Sequence, residues 1–559
     1  MQRFLLLCLA VAAIVWLGFS VFPGHSYLYG ETQIYVPAME RLAQPGFLSR
    51  DLVATHPYVT YTIYDEVTLF LHQVFHLNFQ MALAIQQVLC RAALVSGIFQ
   101  LASAAGLDDV FALLVAALFQ LGATLAGPAV STIAREPTPT AFAFGLVLLA
   151  IGLFAKRRVL LGGLSGGIAL IYDARIASAF WIAVLFLIVF DRKLRPFFKV
   201  TLAELLIFVL LLANLAQLQP GAAGSQITWE RIPEWLAKLQ QYRTGYVWVS
   251  SWAGQYLVQY VAIWICAVWA IARIWPILNR QTRWFLLVLP AAGILSVGLS
   301  YAGIELMRNM AFAQIQPAQN LLFTVAVASI SCSIAAIRAA RAQMLWEAML
   351  WLIVVFAIAI NSSIFDFLRP TDFRQAGAIL LCLVLAFGLA TLAQRLAGSL
   401  VSVATFLPPL AAAFAIPALL PQTVNINVIP LNQLADWAEA NTWGSSLFLF
   451  PDSPHSLEPG YFRAKSRRGL WVDWQGGVLA DYSEEAASEW LSRWKQIDVG
   501  RFTPPDLEQL LPLEIDYYVL QRPHALRNVK PVFENSRYVV YDATDLQNTP
   551  GPLRFAAVP

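Results

Sequence analysis

Long apolar runs dominate the hydrophobic pattern of this chain; neither strict alternation nor a helical stripe is common before residue 420. The runs fall at about 4–22, 80–104, 109–127, 138–155, 159–175, 177–190, 201–217, 253–275, 284–303, 319–338, 345–361, 376–394 and 400–420. Each has roughly the length a helix needs to cross a bilayer, so the pattern predicts about thirteen transmembrane helices. The fifth and sixth are short and are joined by Asp173-Ala174-Arg175. Polar positions collect between the runs. The stretch 23–79 is long and rich in Tyr, His and carboxylates, and 218–252 carries Trp229, Trp235, Tyr242, Tyr246, Trp248 and Trp252, as expected of a segment lying at a membrane surface. Beyond residue 420 the pattern changes. Leu431 to Asn441 and Ser483 to Trp494 have helical periodicity, while Ser446 to Phe450, Gly469 to Val472, Asp516 to Leu520 and Tyr538 to Tyr541 read as short strands. The predicted architecture is a polytopic all-α membrane bundle over 1–420 followed by a small soluble α/β domain over 421–559.

Charge orients the spans. Lys156-Arg157-Arg158, the group Arg192, Lys193, Arg195 and Lys199, then Arg273, Arg280 and Arg283, then Arg338 and Arg341, and finally Arg395 all fall in alternate connections. By the positive-inside rule these face the cytoplasm, and an odd number of spans places 421–559 outside it. The run Phe4 to Phe22 reads as a retained first span, because no A-x-A cleavage pattern precedes Pro23. Composition agrees: of 559 residues, 58% are hydrophobic and 13% charged, and the mean hydropathy is +0.62. Disorder, a collagen, a disulfide scaffold and a soluble multidomain enzyme are excluded. A net charge of +3 makes no case for nucleic acid, and the five cysteines lie in apolar stretches without metal-ligand spacing.

Candidate chemistry concentrates in the outer connections. Glu31, soon after the first span, precedes a helix-like segment from Ile34 to Leu42. With Gly30 turning the backbone and Thr32 capping the helix, its carboxylate would sit at the outer membrane face. There it can accept a proton, bind a divalent cation, or simply complement the helix N-terminus. Arg135-Glu136 stands before the fourth span and reads as a charge pair, at a cavity or at the membrane edge. His72 and His76 share a helix face, a spacing that suits a metal but lacks further ligands; Asp65-Glu66 opens the same helix. Arg91, Asp173 and Arg175 lie at depths where charges face a bundle interior. Glu305, Arg308, Gln314, Gln316, Gln319 and Asn320 point to a polar cavity opening outward, with Arg308 able to hold a phosphate. The basic run Arg463, Lys465, Arg467, Arg468 reads as a solvated face.

This arrangement resembles the GT-C superfamily of polyprenyl-phosphate-sugar-dependent membrane glycosyltransferases, in particular bacterial multi-spanning members with a Y-G-[ED]-x-x-x-Y element after the first span. Here that element is Tyr29-Gly30-Glu31-Thr32-Gln33-Ile34-Tyr35, and the Arg-Glu-Pro element is Arg135-Glu136-Pro137. The resemblance implies a multi-pass protein of the bacterial inner membrane. It implies inverting transfer of a hexose or pentose from a polyprenyl-phosphate sugar to an extracytoplasmic glycan, lipid or protein. It makes Glu31 the catalytic base, places Tyr35, Arg135 and Glu136 in the substrate site, and leaves Arg91 or Arg308 to hold the phosphate. Glu31 stands where metal-dependent members carry paired acids, which leaves a divalent cation open. Two rivals remain on the sequence: a non-catalytic scaffold or polysaccharide-assembly subunit, and a transporter. The first does not require Glu31; the second lacks the inverted repeat and paired Gly/Pro-broken helices of such folds.

Overall fold

The computed structural model describes residues 2–21, 23–56, 62–192, 195–218, 227–364, 428–499 and 502–556, with isolated positions between 384 and 411. Helices run Gln2–Ser20, Phe79–Ala104, Asp109–Phe119, Pro139–Ala155, Val159–Tyr172, Ala174–Phe190, Arg195–Leu218, Gly254–Ile274, Arg280–Ser300, Leu321–Arg341 and Leu345–Ile364. These correspond to the first eleven apolar runs. The runs at 376–394 and 400–420 lie almost wholly outside the described residues. By length and composition alone, five helices among the described residues are long and apolar enough to cross a membrane.

One run ends early. Helix Asp109–Phe119 stops where the pattern predicts continuation to 127, because Gly122 and Gly127 take φ of +70° and +91°, values that break a helix and favour glycine. The chain turns instead into a hairpin in which β1 (Thr124–Leu125) pairs antiparallel with β2 (Val130–Ser131). His76 also departs from expectation. It leaves helix Tyr64–Phe75 in the left-handed conformation, while the His72 ring bonds the Leu77 carbonyl at 2.6 Å, so the two histidines form no ligand pair.

The bundle is assembled through small residues. A Cβ on Gly97 would lie 2.3 Å from the Leu148 carbonyl oxygen, one on Gly145 2.5 Å from that of Cys90, and one on Gly152 2.2 Å from that of Gly97. Helices Phe79–Ala104 and Pro139–Ala155 therefore touch backbone to backbone, the close approach that small residues permit in apolar surroundings. Leu321–Arg341 is buried along nearly its whole length and forms the centre of the bundle.

Ion pairs gather at one end. Arg3 meets Asp109 at 2.7 Å, Arg341 meets Asp108 at 3.2 Å, and Arg280 bonds Asp191. Lys156 donates to Ser103 at 2.8 Å, and Asn279 to the Ala155 carbonyl at 2.8 Å. These are the basic connections read from the sequence. Helix Pro139–Ala155 runs from this end to the opposite one, where the cavity described below opens.

Residues 428–547 carry helices around a five-stranded sheet whose strands lie in the order Gly469–Leu470, Leu447–Leu449, Tyr517–Gln521, Tyr538–Asp542, Phe533–Glu534. Strands β3 (Leu447–Leu449), β4 (Gly469–Leu470) and β5 (Tyr517–Gln521) are parallel; β7 (Tyr538–Asp542) runs antiparallel to β5 and to β6 (Phe533–Glu534). The sheet region docks on the stretch 23–79 through a buried charge cluster. Arg463 bonds Asp473 at 2.9 Å, approaches Asp51 at 3.7 Å and donates to the Gln33 carbonyl at 3.0 Å. The basic run is thus not a uniform solvated face: Arg463 and Arg468 are both buried.

Candidate active site

A cavity of about 840 Å³ opens at the end of the bundle away from the ion pairs. Six separate stretches of chain build most of its wall: the turn 29–35, the segment 121–141, the junction at Arg175, the segment 243–246, the pair Gln316 and Gln319, and the segment 474–482 from the sheet region.

Glu31 faces this space. It precedes helix Thr32–Ala43 and makes no cap to that helix. The helix start is held by Glu136 instead, whose Oε1 accepts from the Tyr29 N–H at 2.6 Å and the Thr32 hydroxyl at 3.0 Å, and whose Oε2 accepts from the Thr32 N–H at 3.2 Å. The Thr32 hydroxyl in turn accepts from the Leu28 N–H at 2.9 Å. A carboxylate at a helix N-terminus satisfies free N–H groups and the helix dipole together. Gly30 makes this approach feasible, since a Cβ there would meet Glu136 Oε2 at 3.2 Å. Glu136 thereby frees Glu31, whose one side-chain hydrogen bond among the described residues is from the Tyr35 hydroxyl at 3.4 Å, one helical turn on.

Glu31 is open to the cavity but ringed by protein. That desolvation, with the neighbouring Glu136 charge, holds its carboxyl above the usual range, while Arg175 pulls the other way. Burial also raises Glu136, against the backbone and hydroxyl donors it accepts. Across the cavity Arg175 is locked by Asp173, from Nε to Oδ1 at 3.0 Å and from Nη2 to Oδ2 at 2.9 Å, and it donates to the Tyr482 hydroxyl at 3.2 Å. Thr140 completes the lock with a 2.7 Å bond to Asp173.

Of the residues singled out from sequence, Glu31, Tyr35, Arg135 and Glu136 meet in this one cavity. Arg135 does not pair with Glu136, whose oxygens are taken; its exposed side chain has no partner among the described residues. Arg91 and Arg308 do not line the cavity. Arg91 is buried against three backbone carbonyls, Gly18 at 2.7 Å, Gly24 at 2.8 Å and Ala134 at 2.7 Å, which ties the end of helix Gln2–Ser20 to the segment before Arg135. Arg308 stands in a left-handed turn whose carbonyl accepts from Ile232. Sequence reasoning left Arg243, Trp474 and Tyr482 out of the site. They come from stretches far along the chain from Glu31, and only the aromatic richness of 218–252 and the Val472-Asp473-Trp474 element drew attention to their neighbourhoods. No three potential metal ligands among His, Cys, Asp and Glu converge among the described residues, and both Glu136 oxygens are committed, so these side chains do not form a metal cradle.

The chain has the GT-C fold: it aligns with the structure of ArnT from Cupriavidus metallidurans in the apo state with a TM-score of 0.51 and 14% identity, covering 98% of this chain and 99% of that one. A second ArnT structure from that organism, bound to undecaprenyl phosphate, aligns with a TM-score of 0.43 at 15% identity over 97% and 98% of the two chains. The Archaeoglobus fulgidus oligosaccharyltransferase in the apo form gives a TM-score of 0.41 at 10% identity over 92% of this chain and 69% of that one. No family model matches the sequence, and none of the curated proteins does.

Proposed function

We propose that this protein is an integral-membrane glycosyltransferase that moves a sugar from a polyprenyl-phosphate donor to an extracytoplasmic acceptor. Its membrane part holds about thirteen spans in the bacterial inner membrane, and residues 421–559 form an α/β domain outside the cytoplasm. One observation carries the reading. Glu136, not Glu31, caps the helix at Thr32, which leaves Glu31 as a carboxylate free to act in the cavity of about 840 Å³.

In the proposed reaction Glu31 takes the proton of the acceptor hydroxyl. The acceptor oxygen bonds the sugar's anomeric carbon from the face opposite the phosphate, the carbon–oxygen bond to phosphate breaks, and polyprenyl phosphate leaves with the configuration inverted. Arg135, unpaired and facing the cavity, meets the phosphate charge. Arg175, fixed by Asp173, keeps positive charge near Glu31 and limits how far its carboxyl rises.

The test is donor consumption by purified protein in nanodiscs, supplied with undecaprenyl-phosphate sugars and a cell-envelope extract as acceptor source. Glu31→Gln should slow transfer about 10²–10⁴-fold, the usual effect of losing a general base, with donor binding unchanged. In the wild type, transfer should fall as pH drops through the raised Glu31 pKa, because only the ionised form accepts the proton. Near wild-type transfer by Glu31→Gln removes Glu31 from the role, and a wild-type protein that consumes no polyprenyl-phosphate sugar overturns the transferase reading.

A further inference from the structure

A guanidinium with no direct ion-pair partner among the described residues is built into the cavity wall on the side of the sheet region. Arg243 closes helix Glu234–Arg243 and lines the cavity. Its Cζ lies 3.4 Å from the centre of the Trp474 ring and 5.6 Å from that of Trp490, and Nη2 donates to the Trp474 carbonyl. Gly477 makes the slot: a Cβ there would meet Arg243 Nε at 2.2 Å and the Trp490 ring at 2.8 Å. The Nε is buried and has no hydrogen-bond partner among the described residues. The two acids whose charges reach Arg243 make no hydrogen bond to it: Asp473 Oδ1 bonds Arg463 at 2.9 Å while its Oδ2 has no partner among the described residues, and Asp481 accepts from the Thr244 hydroxyl at 2.6 Å. Burial brings the Arg243 pKa down to about 10, so the group is still a cation at neutral pH.

A cation withdrawn from water is costly unless a partner compensates it, and ring stacking offsets only part of that cost. Stacked face-on, a guanidinium keeps its edge N–H groups for an acceptor with two oxygens in plane. Position separates this group from Arg135. The slot is made by 474–490 of the sheet region, whereas the backbone around Arg135 is pinned to helix Phe79–Ala104, with Gln87 donating to the Ala134 and Arg135 carbonyls at 3.2 and 2.8 Å. The two guanidiniums thus line one cavity from different parts of the fold, Arg135 from the helix bundle and Arg243 from the slot of the sheet region.

We infer that Arg243, held between Trp474 and Gly477, binds an anionic group, phosphate or carboxylate, on the water-side substrate, so that the acceptor is an acidic saccharide. This rests on the transferase reading, which assigns the water-side substrate the role of acceptor.

The test titrates full-length protein in nanodiscs with glucose 6-phosphate, glucuronate, glucose and undecaprenyl phosphate. Wild-type protein should bind at least one of the two charged sugars about tenfold or more tighter than glucose. Arg243→Gln should abolish that preference and leave undecaprenyl phosphate binding within about twofold, while Arg135→Gln should do the reverse. Arg243→Lys, which keeps the charge without the planar edge, should retain a reduced preference. In wild-type protein, where folding is not in question, the preferred charged sugar should slow phenylglyoxal modification of Arg243 but not of Arg135. No preference for charged sugars, or no protection of Arg243, overturns the inference. Weakened undecaprenyl phosphate binding in Arg243→Gln assigns Arg243 to the donor phosphate and overturns it too. A wild-type protein that ignores undecaprenyl phosphate but prefers a charged sugar fails the transferase reading instead, leaving Arg243 as an anion site without an acceptor role.

Discussion

Glu136→Ala removes the acceptor of three donors at once: the Tyr29 N–H at 2.6 Å, the Thr32 N–H at 3.2 Å and the Thr32 hydroxyl at 3.0 Å. A hydrogen bond to a charged group contributes about 1.5–3 kcal/mol, so at the low end the three amount to about 4–5 kcal/mol. The turn borders a cavity open to solvent, and released donors rehydrate. Roughly 2 kcal/mol of turn stability should therefore be lost, and at 1.36 kcal/mol per decade the turn opens about 30-fold more often. Hydrogen–deuterium exchange of a peptide covering 28–35 reads this directly, without an activity assay. Glu136→Gln is the informative control. Its oxygen can serve Tyr29 and the Thr32 hydroxyl, while its amide would face the Thr32 N–H, so one bond is lost and exchange should rise only about 5-fold. Where transfer is measured, Ala at 136 should lower kcat by about 10²-fold, since a displacement of about 1 Å in a reacting group costs that much. Exchange in Glu136→Ala within twofold of wild type would falsify the claim that Glu136 holds the turn, and Glu136→Gln as damaging as Ala would show that charge alone matters.

Three further outcomes follow from the same geometry. Asp481 is buried and its carboxyl is pushed up from 3.8 to about 8, with Thr244 and the charges of Arg243 and Arg175 only partly opposing; a carboxyl raised on folding contributes stability below its unfolded pKa and loses it as pH rises through the folded value. Thermal unfolding followed from pH 4 to 8 should show the melting temperature falling, and Asp481→Asn should flatten that dependence. Arg463→Met leaves Asp51 and Asp473 buried without their cation and should cost about 3–5 kcal/mol, loosening the sheet region from 23–79 as read by limited proteolysis. Gly97→Ala forces a Cβ against the Leu148 carbonyl and should destabilise by about 1–3 kcal/mol, whereas Gly298→Ala, with nothing within 4 Å, should leave the melting temperature within about a degree.

Eleven apolar runs became helices because the preference of each run for a dry environment is a property of its own residues, legible without knowing any neighbour. The same holds for the basic connections, several of which now gather at one end. The ending at Phe119 was less legible. Gly122 and Gly127 were in view, but an apolar run reads the same through a hairpin as through a helix.

Tertiary structure decided which charge meets which. From the sequence, Arg135 and Glu136 are neighbours and Arg91 is a free intramembrane cation. In the fold, Glu136 turns to the helix start at Thr32, Arg135 is left unpaired in the cavity, and Arg91 is spent on three carbonyls. Arg175, Arg243, and Trp474 with Tyr482 reach the same cavity from three well-separated stretches of the chain. Partition between lipid and water is additive along the chain and so can be read locally. A hydrogen bond or stacked pair acts over a few ångströms, and whether two groups come that close depends on packing such as the contacts of Gly97 and Gly152 across helices, which no single stretch of sequence contains.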